Sequence, residues 1–185
     1  MSEKPSRYDR TFPGLIGAMI VTLLAVVAFV AWRGTFRDNK EVEVPTVDWR
    51  QSVELAQEAN LPIVAPTDLP DGWRATSVDL VAVGDQRWGM GVLTDSESFV
   101  GLRQQDASLV TMVETYIDKD AESGGEVTLE SSVSTTWETW SDDGGDLGYA
   151  TEVGDDVLLV YGSAGKEALE EFIALLEVVE PAPAE

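Results

Sequence analysis

From Leu15 to Trp32 the chain reads L-I-G-A-M-I-V-T-L-L-A-V-V-A-F-V-A-W, apolar on every helical face, and no charge occurs between Arg10 and Arg33. A bilayer core needs about 20 apolar residues at roughly 1.5 Å of helical rise each. Ten side chains from Leu15 to Val30 are Leu, Ile, Val or Phe. At about −0.3 to −0.6 kcal/mol each, they contribute on the order of −3 to −6 kcal/mol to insertion. Residues 12–33 are therefore expected to form a transmembrane helix whose partner is the lipid bilayer. Pro13 falls in the first turn, where its missing N–H costs little. Trp32 and Arg33 suit the interface. A cleaved signal peptide would need a shorter run before a small-x-small site. The best such site, Val26-Val27-Ala28, lies inside the run.

Beyond Trp32 the pattern turns amphipathic. Trp49, Val53 and Ala56 share one helical face, which predicts a helix over Asp48–Asn60. Asp48 would cap it with Gln51 as capping-box partner, and Pro62 would end it. Ile63–Pro66 reads as a short extended piece, and Pro70-Asp71-Gly72 as a turn. Strands are expected at Arg74–Val83, Trp88–Thr94 and Phe99–Gln104, then a helix capped by Asp106 with Leu109, Val113 and Tyr116 inward. After a turn at Glu122–Gly125, strands follow at Val127–Val133, Thr135–Trp140, Leu147–Val153 and Val157–Tyr161. Ser163 would cap a last helix reaching about Glu177, with Ala168, Leu169, Phe172, Leu175 and Leu176 on its apolar stripe. G-V-L-T at 91–94 echoes G-Y-A-T at 148–151, and Val100 and Leu102 echo Val157 and Leu159.

The expected fold class is α+β: an N-terminal transmembrane helix, then an antiparallel sheet with helices packed on it, built as two β-β-α units. The expected divisions are a cytoplasmic tail at 1–11, the span at 12–33, a linker at 34–46, an extracytoplasmic domain at 47–179 and a disordered tail at 180–185.

Charge narrows the function classes. The chain has 12 Lys and Arg against 34 Asp and Glu, and its first 32 residues hold three and two of these. Such a surface repels nucleic acid and anionic headgroups. Three basic residues flank the span on each side, so charge alone sets no orientation. The chain has no cysteine and no histidine. Disulfides, thiol chemistry, Ser-His-Asp triads and imidazole zinc sites are thereby excluded.

Candidate chemistry is sparse. Ser163-Ala164-Gly165-Lys166 fits S-x-x-K, but neither K-T-G nor S-D-N accompanies it, and Ser163 reads better as a cap. Asp118, Asp120, Glu122 and Gly124 resemble the start of a calcium loop, yet Ser123 and Leu129 stand where glycine and the bidentate Glu belong. Asp142, Asp143, Asp146, Asp155 and Asp156 lie in successive hairpin turns that could share a weak cation site. Trp137 and Trp140 differ by three, so they face opposite sides of a strand. Whichever faces solvent is the candidate contact for a ligand or partner. No catalytic residue, metal ligand or cofactor is assigned.

The span, L-P-D-G-W-R at 69–74, W-G-M-G-V-L-T at 88–94, V-G-L-R-Q-Q at 100–105 and V-Y-G-S-A at 160–164 resemble a family of actinobacterial membrane-tethered proteins that carries only a domain-of-unknown-function label. The resemblance implies a single-pass cell-membrane protein with its domain outside the cytoplasm, and no activity. The expected function is a non-catalytic binding or accessory module of the cell envelope, with an envelope protein as candidate partner. The alternatives are a lipid- or small-ligand-binding domain with a cavity between sheet and helices, and a carboxylate-based hydrolase, which would need paired carboxylates in a cleft.

Overall fold

In the segment from Trp88 to Gln105, Trp88, Met90, Val92, Val100, Leu102 and Gln104 are all buried, at alternate positions along two strands. That alternation gives one sheet face to the core, and the fold is organised around it. The computed structural model describes residues 19–27, 29 and 45–180. The chain separates into two compact units, Met1–Glu43 and Val44–Glu185. In the first, residues 19–27 and 29 are helical with exposed side chains. Among the described residues no helix is long and apolar enough to cross a membrane. The remainder of the expected span, the tail at 1–11 and most of the linker lie outside the described residues.

The second unit is α+β. Its strands are β1 (Ile63–Pro66), β2 (Arg74–Val81), β3 (Arg87–Leu93), β4 (Phe99–Gln105), β5 (Glu122–Thr128), β6 (Thr136–Ser141), β7 (Leu147–Val153), β8 (Asp156–Gly162) and β9 (Leu176–Val179). Its helices are α1 (Trp49–Glu58), α2 (Leu109–Tyr116) and α3 (Lys166–Ala174). Seven strands form one antiparallel sheet in the order β2-β3-β4-β8-β7-β6-β5, and β1 pairs with β9 in a separate ribbon.

One face of the sheet is sealed. Trp88, Met90, Leu102, Trp137, Leu158 and Val160 meet Trp49 and Ala56 of α1, Leu169, Phe172 and Ile173 of α3, and the β1–β9 ribbon. Trp73 stacks on Phe172 with centroids 6.4 Å apart. The ribbon is held by Gln104, which is 4% exposed. Its Oε1 accepts from Val64 N at 2.7 Å, and its Nε2 donates to Pro62 O and Asp156 Oδ2. Trp88 Nε1 donates to Val64 O at 2.7 Å. The opposite face carries a single smaller cluster, in which Met112 of α2 packs on Ala150, Val157 and Leu159. This second side is the open face.

Several expectations are corrected. Asp48 does cap α1, accepting from Arg50 N. The helix ends at Glu58, two residues short of the expected Asn60, whose left-handed φ of 56° lets Leu61 N reach Ala56 O. Ser108, not Asp106, caps α2 by accepting from Thr111 N. Glu122–Gly125 is not a turn; it opens β5, and Gly125 at φ 86° absorbs a register shift. The last helix stops at Ala174, and Leu176 onward is β9, because Ile63–Pro66 offers it a strand partner. Gly165, not Ser163, precedes α3, and it makes no side-chain cap.

The two β-β-α units exist, and β4 pairs with β8 at the sheet centre. They are not repeats in space, since α2 packs on the open face and α3 on the sealed one. Val100 and Leu102 belong to the sealed core, whereas Val157 and Leu159 lie under Met112.

Candidate glycine-floored strip on the open face

Residues opposed across a ladder project to the same face. The register aligns Ser77, Gly91, Gly101, Tyr161, Gly148, Trp140 and Ser123 in one row across the open face. Three glycines lie in this row, and Gly89 lies beside it on β3. Their lack of a Cβ is required by what rests on them. A Cβ on Gly101 would stand 2.5 Å from the Tyr161 ring, and one on Gly91 would stand 3.0 Å from Phe99. A Cβ on Gly89 would collide with the Arg103 guanidinium. The glycines thus form a floor against which the Phe99 and Tyr161 rings and the Arg103 guanidinium pack closely.

These side chains form a continuous strip. Phe99 and Tyr161 meet edge to face at 5.8 Å and 67°, and Tyr161 meets Tyr116 at 5.6 Å and 39°. The Arg103 guanidinium stands over the Tyr116 ring, 5.2 Å from its centroid. All four residues are half-buried. Burial pushes the Tyr161 phenol above its ordinary pKa, with Arg103 opposing that shift and Tyr116 and Asp146 adding to it. Arg103 Nη1 donates to Leu102 O at 3.2 Å. Among the described residues, two side-chain N–H groups are buried without a partner, Arg103 Nε and Trp140 Nε1. Both belong to this face.

The tryptophan pair divides as its spacing requires. Trp137 is fully buried in the sealed core, and its Nε1 donates to Ser134 O. It is therefore removed as a surface contact. Trp140 is on the open face, half-buried and opposite Gly148. Sequence reasoning missed Phe99, Arg103, Tyr116 and Tyr161. A signal was present: Gly89, Gly91, Gly101, Arg103 and Tyr161 come from three of the short motifs, and four of them share one parity along β3 and β4.

Other candidates dissolve. The Ser163 hydroxyl accepts from Phe99 N, while Lys166 pairs with Glu170 at 3.7 Å, so the two are committed elsewhere. Asp142, Asp143 and Asp146 lie in the β6–β7 turn, and Asp155 and Asp156 at the β7–β8 turn. Successive turns of a meander sit at opposite ends of the shared strand, about 20 Å apart along β7, so the five cannot share one ion. Asp118 Oδ1 accepts from Asp120 N within a local turn. Among the described residues no group of His, Asp or Glu is arranged to hold a metal ion. Glu126 faces Glu138 directly across β5 and β6, in a groove of about 330 Å³ that Leu109 and Glu152 also line. Glu126 is exposed and Glu138 half-buried, so the groove does not enclose the pair.

Residues 7–176 match the model of a family described as a protein of unknown function, DUF4245. A comparison with curated proteins finds no match.

Proposed function

Since the chain belongs to the DUF4245 family, we propose that it is a membrane-anchored, extracytoplasmic and non-catalytic binding module of an actinobacterial cell envelope. Residues 12–33 are its anchor, and the strip of Phe99, Arg103, Tyr116 and Tyr161 is its recognition surface. The observation that carries the reading is the glycine floor. Two of the motifs give up side chains so that two rings and a guanidinium pack closely on the sheet, half-exposed. Fixed aromatic and Arg side chains are the groups in which binding energy concentrates. The exposed apolar side chains of residues 19–27 support the anchor. The space between the sheet and α1 and α3 is filled by Trp88, Trp137, Phe172 and Leu169, which favours a surface site over an internal cavity.

Co-purification in mild detergent tests this reading. The component captured by the full chain is expected to be lost with Tyr161→Ala and kept with Lys119→Ala. Capture indifferent to Tyr161 and Arg103 would remove the strip from the function. Protease added to intact, wall-stripped cells is expected to remove the domain; protection until lysis would reverse the orientation.

A further inference from the structure

We propose that the strip binds a sugar ring bearing one carboxylate, a uronic-acid residue, with the carboxylate on Arg103 and a C–H face against Tyr161. The proposal rests on the binding-module reading and names its ligand class.

The first argument is charge. From 45 to 180 the basic residues are Arg50, Arg74, Arg87, Arg103, Lys119 and Lys166. Arg50, Arg74, Arg87 and Lys166 each pair with a carboxylate. In a chain of net charge −22, Arg103 has no carboxylate within 4.0 Å among the described residues. It is the only arginine there left unpaired. It is held on Tyr116 rather than reaching for an acid, and its Nε is desolvated without a partner. With Nε enclosed and Nη1 already donating once to Leu102 O, the remaining Nη N–H groups of this half-buried side chain are the donors left to pair with a carboxylate. The surrounding acidity repels a polyanion, so the complementary ligand carries a single negative group.

The second argument is shape. Aromatic faces are electron-rich and attract C–H bonds polarised by neighbouring oxygens, as in a pyranose. Successive rings turn by 67° and 39°, so they share no common plane. That suits one ring-sized residue rather than a flat run of polymer. The third argument is hydroxyl complementarity. Ser77 is exposed beside Gly91, and neither its hydroxyl nor that of Tyr161 has a hydrogen-bond partner among the described residues. A polyhydroxylated ring meets both, whereas an aromatic acid leaves both unpaired.

Saturation-transfer NMR on the full chain in detergent micelles tests the proposal. The probes are methyl galacturonide, methyl galactoside and benzoate. The galacturonide is expected to bind at least about tenfold more tightly than the matched neutral galactoside, and more tightly than benzoate. Arg103→Gln is expected to bring it down to the galactoside level. Arg103→Lys keeps the charge, loses the planar fork, and is expected to weaken binding by about tenfold in a protein of unchanged melting temperature. Equal binding of the matched pair, stronger binding of benzoate, or galacturonide affinity unchanged in Arg103→Lys would each overturn it. Such a failure beside strip-dependent co-purification would leave the binding module standing with a different ligand.

Discussion

Gly162 has φ 144°, and a Cβ there would lie 2.2 Å from the backbone oxygen of Phe99. Neither strain can be relieved by turning a side chain. Gly162→Ala is therefore expected to cost about 2 to 3 kcal/mol in urea denaturation. Ser163→Ala should cost less than the ~1 kcal/mol of a lost helix cap, because the hydroxyl only accepts a long bond from Phe99 N. Tyr149 gives a pH signature. Burial, then the adjacent Glu170 that its hydroxyl bonds, push its phenol up to about 12. Below pH 10 the proton is on in folded and unfolded chains alike, and the contribution is fully present. Between 10 and 12 only the folded state keeps it, so stability falls as pH rises. Absorbance at 295 nm should show this tyrosine ionising after ordinary ones. At this scale the sequence was legible where the contact is local. Asp48 capping Arg50 N is such a case, whereas Ser163 was misread because its partner lies 64 positions away.

Periodicity located most elements, since burial on one side imposes it directly. It failed at β9, where Leu175 and Leu176 extend the stripe of α3 and nothing nearby reveals that Ile63–Pro66 is the partner. It failed again at β5, whose residues are nearly all exposed and so carry no alternation. The strip was hidden for a related reason: its register unites residues from separate hairpins, and glycine has no hydropathy signature. Gln104 is the hinge of the ribbon's attachment to the sheet. Gln104→Leu leaves the buried Val64 N and the partly buried Pro62 O without this partner. A loss of about 2 to 4 kcal/mol is expected by chemical denaturation.

The folded domain is strongly acidic throughout, and like charges on one compact body repel. Its melting temperature should rise between about 20 and 200 mM sodium chloride as the repulsion is screened. A fragment beginning at residue 45 should unfold cooperatively on its own, since the chain divides near residue 43 and the core residues of the second unit pack against one another. The β1–β9 ribbon then dictates timing. β1 finds its partner only when Leu176–Val179 has been made, and β4 finds its central neighbour only when β8 has. A growing chain can therefore form the β2-β3-β4 hairpins early, but leaves β1 and the inner edge of β4 without partners until β8 and β9 have been made. Closing so large a loop makes the last step slow. On the proposed extracytoplasmic reading, a chain still lacking those two pairings is loose enough to be threaded through a translocation channel before it closes.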